Sequence, residues 1–409
     1  MIPFSPPRID KKIIDEVTAA LQSGWITTGP RTKLFEKKLS EYYGTKATLC
    51  LNSATAGLEI MLRWFGVGAG DEVILPAYTY SATANVVIHC GATPVFVDVN
   101  ANDFNISVSE IEKHITAKTK VIMPVDFGGL PCDYNEINAL AINKKIWFAP
   151  KTDNQKKLGR ILVLSDSAHS VGATYKGKKT GTLTDVSVFS FHAVKNLSTA
   201  EGGCIALNLP APFDNEEEYK KLCVSTLHGQ NKDALAKTQK GNWRYDIVEA
   251  GYKFNMTDLT AAIGLIELER YDADTLAKRK AICTHYTNAL AKHADMFELP
   301  VQKTGDKESC YHLYPLRIKN ITEAQRDEII KNIFDCDVSV NVHFIPVPCM
   351  SFYKGLGYDI KNYPTTYNNY SREITLPVFY DLTEQQLNTV VNAVITSTEK
   401  VLSKKNTLA

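Results

Sequence analysis

Along this chain, short runs of β-branched and apolar residues alternate with stretches whose apolar positions recur every three or four residues. The runs at 47–51, 73–75, 94–97, 121–125, 161–164, 186–189 and 204–207 read as strands. Several are apolar throughout, the pattern of strands covered on both faces. Between them, 56–65 and 107–115 carry a helical period. This rhythm predicts an α/β unit with a mostly parallel sheet of seven strands. Its ligands should gather at the carboxyl ends of those strands.

The pattern changes at both ends. Residues 1–31 mix Pro, Gly and Thr around one amphipathic stretch at 13–21 and read as an ordered arm. The large unit spans 32–270, and a smaller C-terminal α+β unit spans 271–409. A long helical pattern starts near Thr257, with Thr257 or Asp258 as its cap, and runs towards Lys292 with a break near Asp272–Asp274. Strand-like 311–318, helical 323–334, strand-like 338–344 and a closing helix from Thr383 follow. Two polar stretches interrupt the order: a Lys-rich insertion at 144–160, expected to be exposed, and a loop at 229–241.

Composition narrows the function classes. The 409 residues are 44% hydrophobic and 22% charged, an ordinary globular balance. Lys+Arg 46 against Asp+Glu 45 gives a net charge of +1, so no global field favours nucleic acid or an anionic membrane. Any anion site must be local. No apolar run reaches the roughly 18–20 residues of a membrane helix, and MIPFSPPRIDKK has no apolar signal core. The nine cysteines are scattered singly without a CxxC pair. A cytoplasmic chain with reduced thiols is the expectation.

Candidate chemistry concentrates at the strand ends. In SVFSFHAVKNLSTAEGG, a strand ending in Ser190 runs into a loop carrying Lys195. A lysine at the mouth of an apolar sheet loses solvation, which lowers its pKa and frees a nucleophilic amine. Asp166, in LSDSAH, ends the preceding strand, where a carboxylate needs a cationic partner, and His169 follows three residues later. In LNSATAGL, the amides of Thr55 and Ala56 open a helix and can face an anion. Tyr80, in PAYTYS, offers a ring that can stack on a planar group. Singly, each has an ordinary reading: surface lysine, short turn, packed tyrosine. Zinc on Asp166, His169 and His192 lacks a metal-ligand spacing. Together, the four make a phosphate cradle, a stacking ring, an acid for a ring nitrogen and a lysine, which is the set a pyridoxal 5'-phosphate site requires.

SGWITTGP, NSATAG, GDEV, GATPVFVDV, DSAHSVGATYKG, FSFHAVKNLSTAEGG and GYKFNMTDLTAAIG resemble the DegT/DnrJ/EryC1/StrS family of nucleotide-sugar aminotransferases. HLYPLRI, VNVHFIPVP and ITLPVF extend the likeness more loosely. The resemblance implies a fold-type-I, aspartate-aminotransferase-like homodimer with shared active sites. It implies that Lys195 carries the cofactor as a Schiff base and then moves protons, and that Asp166 keeps the pyridine nitrogen protonated. His169 would lie beside the ring, Tyr80 would stack on it, and Thr55, Ala56 and Ser190 would contact the phosphate. Asn255 would reach the phosphate of the neighbouring subunit's cofactor. Thr27, Thr28 and His343 are candidate sugar contacts, and no metal is implied. One departure stands out: DSAHS occupies the place of DAAHA or DAAQA in many relatives.

The pattern is most similar to enzymes that aminate C4 of UDP-linked keto sugars, with L-glutamate as donor and 2-oxoglutarate as its product. Alternatives are a UDP-4-keto-pentose aminotransferase, a C3 aminotransferase on a dTDP-keto sugar, and a non-catalytic cofactor-binding protein. Relatives that act as sugar dehydratases carry histidine in place of the Schiff-base lysine, whereas FHAVKN retains Lys195. No nucleic-acid or membrane partner is expected.

Overall fold

A computed structural model describes residues 1–232 and 243–408, with side chains described to residue 403. The seven apolar runs become one sheet: β1 (Ala47–Leu51), β2 (Glu72–Pro76), β3 (Thr93–Val97), β4 (Thr119–Ile122), β5 (Leu162–Asp166), β6 (Val186–Ser190) and β7 (Gly203–Leu207). Their order in space is β1-β7-β6-β5-β4-β2-β3. Strand β7 is antiparallel to both neighbours, and the other pairs are parallel. The mostly parallel seven-stranded α/β sheet is as expected.

Helices cover both faces. Val73 and Leu75 of β2 join Leu58, Met61, Val188 and Ile205 on one side. Ile74, between them, packs with Val163, Ile137 and Ala141 on the other. That alternation is the strand period made physical. At Gly203, β7 passes so close to the helix Ala54–Trp64 that a Cβ would lie 2.5 Å from the Ala54 nitrogen. Only glycine lets this helix start against the sheet.

A second core gathers Tyr286, Leu316, Ile329, Ile374, Val390 and Val394 around a smaller antiparallel sheet of β8 (Phe297–Glu298), β9 (Tyr314–Ile318) and β10 (Glu373–Leu376). The expected strand at 338–344 forms isolated bridges only, from Val338 to Ile2 and from Asn341 to Thr375. The His343 N–H donates to the Glu373 carboxylate instead of a ladder carbonyl. In the large sheet, the run at 121–125 leaves the strand after Ile122 because Pro124 has no N–H to donate.

The long helical pattern does break where expected. Helix Asp258–Glu269 passes through a π-turn, Tyr271–Leu276, into helix Ala277–Leu290. Thr257 caps the first helix. Asp258 serves a different one. Its carboxylate accepts the Gly29, Arg31 and Thr32 N–H groups and the Thr32 hydroxyl, at 2.7–3.0 Å, and so caps helix Pro30–Tyr43.

The N-terminal segment pairs Ile2 with Val338 and stacks Phe4 on His343. Arg8 lies 3.7 Å over the Tyr380 ring and 2.7 Å from Asp274, which clamps the segment so that Phe4 and Ser5 reach a cavity at the carboxyl edge of the large sheet. The 144–160 stretch is not simply exposed. Ile146 and Trp147 face solvent, but helix Asp153–Leu158 buries Gln155, whose Nε2 donates to the Phe65 carbonyl at 2.9 Å. A buried amide that satisfies a helix-end carbonyl anchors the segment. The polar loop at 229–241 lies largely outside the described residues. Among the described residues, no helix is long and apolar enough to cross a membrane.

Candidate active site

A cavity of about 350 Å³ opens at the carboxyl ends of β1, β2, β5 and β6, where the topology directs ligands. It brings together Thr55, Tyr80, Asp166, His169, Ser190, Lys195 and His343 of the sequence candidates. Ala56, Asn255, Thr27 and Thr28 do not line it.

Asp166 ends β5 and is buried. Its Oδ2 accepts the Thr83 hydroxyl at 2.8 Å, and Oδ1 accepts the Ala168 N–H at 3.2 Å. Burial raises its pKa, while those two donors and the Lys195 ammonium pull it down. Thr83 is itself held by Thr79, at 2.8 Å across one helical turn. The carboxylate is therefore oriented by donors and needs a cation on its open side.

Lys195 follows β6 in the polar loop. Its backbone N–H donates to the His192 carbonyl at 2.8 Å, and its side chain lines the cavity. Burial lowers its pKa to about 8, against the opposing pull of Asp166. At pH 7 the ammonium still predominates, but the free amine that attacks a carbonyl is far more populated than for an ordinary lysine.

Three neutral histidines face the same space. The His169 Nδ1 accepts the Gly128 N–H at 3.3 Å, which places the ring proton on Nε2. Its ring lies 4.5 Å from His312 and is stacked 5.8 Å from Phe344. Burial, and then the Lys195 charge, hold His169 well below the usual imidazole range. His312 is held low by burial and by His169, and its Nδ1 contacts the Asn196 Oδ1 at 2.8 Å. His343 falls to about 3 through burial and Lys195. Its Nδ1 contacts the Thr375 hydroxyl at 2.9 Å, and Phe4 stacks on it at 5.5 Å.

At the far end, helix Ala54–Trp64 points its N-terminus at the cavity through Ser53, Ala54 and Thr55, opposite Ser190. The Ala56 N–H is already taken by the Ser53 hydroxyl at 3.1 Å, so the orphan amides are those before it. Tyr80 is largely exposed at the start of helix Ser81–His89, its ring 5.7 Å from Phe344. Asn255 donates to the Thr28 hydroxyl at 2.6 Å, and Thr28 in turn to the Met256 carbonyl at 2.5 Å. The Thr27 carbonyl accepts the Asp258 N–H. The TTGP and NMTD motifs thus bind each other.

Sequence reasoning missed Thr83, His312, Phe4 and Asp126. Thr79 and Thr83 stand four apart at a helix start, a spacing that puts both hydroxyls on one side. His312 opens the HLYPLRI stretch but carries no local sign of a site role, and nothing local marks Phe4; both reach the cavity by tertiary folding. Among the described residues, no group of three or more His, Cys, Asp or Glu is arranged to hold a metal ion.

Residues 7–395 match the model of the DegT/DnrJ/EryC1/StrS aminotransferase family. The spore coat polysaccharide biosynthesis protein SpsC of Bacillus subtilis is 37% identical over 397 residues, 96% of each chain. Among solved structures, the putative sugar aminotransferase Spr1654 from Streptococcus pneumoniae, in its PMP form, superposes with a TM-score of 0.94 at 45% identity, covering 98% of this chain and 100% of the other. The same protein in its PLP form gives 0.93 at 44%. Helicobacter pylori PseC, an aminotransferase involved in the biosynthesis of pseudoaminic acid, gives 0.85 at 28% identity, covering 98% and 99%. The residues present fit pyridoxal phosphate: a buried acid with an open side, a desolvated lysine, and helix-end amides with a hydroxyl for an anion.

Proposed function

The chain belongs to the DegT/DnrJ/EryC1/StrS aminotransferase family, and from that premise we propose that it moves the amino group of L-glutamate to C4 of a UDP-linked 4-keto hexose. A UDP-2-acetamido-2,6-dideoxy-4-keto-hexose is a representative acceptor, and the 4-amino product would serve surface polysaccharide or glycan synthesis. The enzyme is a pyridoxal-phosphate-dependent sugar aminotransferase of fold type I. The observation that carries the reading is the pairing of Lys195 with Asp166 in one cavity, whose outer wall of His343, Phe4 and Tyr80 leaves hydrogen-bonding and stacking surface for a sugar. The roles of SpsC in spore coat polysaccharide biosynthesis and of PseC in pseudoaminic acid biosynthesis support the same substrate class.

When bound, pyridoxal phosphate supplies a carbonyl for amines and a ring that withdraws an electron pair. The chain's own groups do the rest. Asp166 would hold a proton on the pyridine nitrogen. The Lys195 amine would take the proton from the amino-bearing carbon of the donor and deliver it to the carbon on the far side of the same nitrogen, so that the nitrogen stays behind as the donor leaves as a keto acid. In the second half-reaction it runs the same transfer in reverse on the keto sugar. His169, neutral with its proton on Nε2, donates beside the ring. The helix-end amides at Ala54 and Thr55, with Ser190, would hold the phosphate.

With purified enzyme, L-glutamate and a panel of UDP- and dTDP-linked 4-keto and 3-keto sugars, the UDP-4-keto hexose is expected to release 2-oxoglutarate with a kcat/KM about tenfold or more above the others. Turnover confined to a UDP-4-keto-pentose or a dTDP-3-keto sugar would reassign the acceptor. No 2-oxoglutarate with any sugar would favour the non-catalytic alternative.

We further propose a homodimer in which Asn255 serves the neighbouring subunit's phosphate. Two features support it. Asn255 lies outside its own chain's cavity lining, and Trp243, Tyr245, Ile247 and Val248 expose apolar side chains just before it. Lys195→Ala and Asn255→Asp, each inactive alone, should recover activity after subunit exchange. The two-fold pairing leaves one site per heterodimer with both residues intact. If Asn255 serves its own chain, every site carries a lesion and nothing recovers.

A further inference from the structure

A second buried carboxylate stands behind Asp166, outside the cavity lining. Asp126 is fully buried. Its Oδ1 accepts the Cys132 N–H at 3.0 Å and the Tyr134 hydroxyl at 2.6 Å. Its Oδ2 accepts the Ser170 hydroxyl at 2.6 Å and the Ser167 hydroxyl at 3.2 Å. Its own N–H donates to the Asp166 carbonyl at 3.2 Å. Four donors converge on two oxygens, and hydrogen bonds donated to a carboxylate favour its ionised form. Burial raises the Asp126 pKa, and the same donors oppose the rise.

Where the donors come from matters more than their number. Ser167 and Ser170 bracket Ala168 and His169, and they are the two positions at which DSAHS departs from DAAHA. In an alanine version neither hydroxyl exists. The turn that carries Asp126 also supplies the Gly128 N–H that fixes His169. It bends through Gly128 at φ 61° and Gly129 at φ 95°. A Cβ on Gly129 would lie 2.5 Å from the Cys310 sulfur and 3.0 Å from the His169 carbonyl oxygen, so the turn can lie this close only as glycine. One turn thus grips both the acid's loop and the imidazole.

We propose that Asp126 is a positioning residue of the cofactor site: it locks the loop from Asp166 to Ser170 through two serine hydroxyls and sets a fixed negative charge behind Asp166. The proposal rests on the reading of Asp166 as the partner of the pyridine nitrogen. The titratable groups that face Asp126 are Tyr134 and Cys132 from the segment after its turn, Asp166 from β5, and Cys310. Burial raises all four, Cys310 to about 12 and Tyr134 and Cys132 well above their ordinary values, so these three stay neutral, while the four donors on Asp126 favour its charged form. A negative charge behind Asp166 raises its proton affinity and stabilises every cationic group on the cofactor side.

The test is a pH titration of the bound cofactor's absorbance in the holoenzyme, with thermal melting alongside. Wild type showing no lysine-bound chromophore at any pH would indict the cofactor reading itself, a failure separate from this proposal. In Asp126→Asn, loss of the charge should lower the pH midpoint by about one unit. Ser167→Ala/Ser170→Ala keeps the carboxylate but removes two of its donors, so protonation of Asp126 sets in at higher pH. The midpoint should move in the same direction by less. Should Asp126→Asn fail to fold, the serine pair alone decides. A lowered melting temperature with an unmoved or raised midpoint would mean a purely structural carboxylate and would overturn the proposal.

Discussion

Lys195→Ala is expected to lose turnover by on the order of 10⁴-fold or more while still folding. On the proposed reading the side chain supplies both the amine that carries the cofactor and the base that moves the proton, so one substitution removes two roles on one reaction path. Its loss leaves no hole in the apolar core, because Lys195 lines the cavity. Borohydride reduction of the wild-type holoenzyme should fix the cofactor on the peptide that contains Lys195. Label on any other lysine would sink the assignment. Stability gives an independent check. The folded pKa of about 8 lies below the ordinary lysine value of 10.5, so the apoprotein carries a penalty for holding the ammonium. That penalty is complete below about pH 8, where both states are protonated. It fades as pH rises from about 8 to 10.5, where the unfolded chain still binds the proton and the folded chain does not. The alanine apoprotein should therefore melt above wild-type apoprotein at pH 7, and the difference should shrink towards pH 10.

The parallel sheet was legible in the sequence because its strands are buried on both faces and write continuous apolar runs. Asp166, Ser190 and Lys195 were legible for a related reason: a polar group that ends such a run has an identifiable place at the sheet's carboxyl edge. The small unit was harder to read. Residues 338–344 have strand composition, yet the His343 N–H is satisfied by a buried carboxylate thirty positions away, a choice no local pattern encodes. Asp258 has the same lesson. It stands where a helix cap belongs, but its oxygens go to the start of another helix, 226–229 residues earlier. The arm, read as a separate element, proves to be part of the cavity wall because Arg8 finds Asp274 and Tyr380. Local periodicity sets elements. Long-range polar pairing sets which of their side chains meet.

Asp166→Asn isolates the electrostatic contribution of the acid. The amide keeps the shape of the carboxylate, but it carries no charge and cannot hold the pyridine nitrogen protonated. The rate of the glutamate half-reaction should fall by about 10²–10⁴-fold, the range seen when a preorganised electrostatic partner is removed. Bound cofactor per subunit should fall much less, since the helix-end amides, Ser190 and Lys195 remain. The local geometry predicts a further detail. Both oxygens of Asp166 accept from donors, Oδ2 from Thr83 and Oδ1 from the Ala168 N–H. An amide has one acceptor oxygen, so it must keep one of these bonds and turn its NH₂ group toward the other donor. The Thr83 hydroxyl can rotate to accept from that NH₂, whereas the Ala168 N–H cannot reverse. The oxygen should therefore stay on Ala168 and the NH₂ should face Thr83. The folded structure then survives, and the loss is read in the proton-transfer rate rather than in melting temperature. Stopped-flow absorbance with glutamate alone measures this step apart from the sugar. An unchanged rate would mean that the ring nitrogen does not depend on Asp166, and the assignment of the acid would fall.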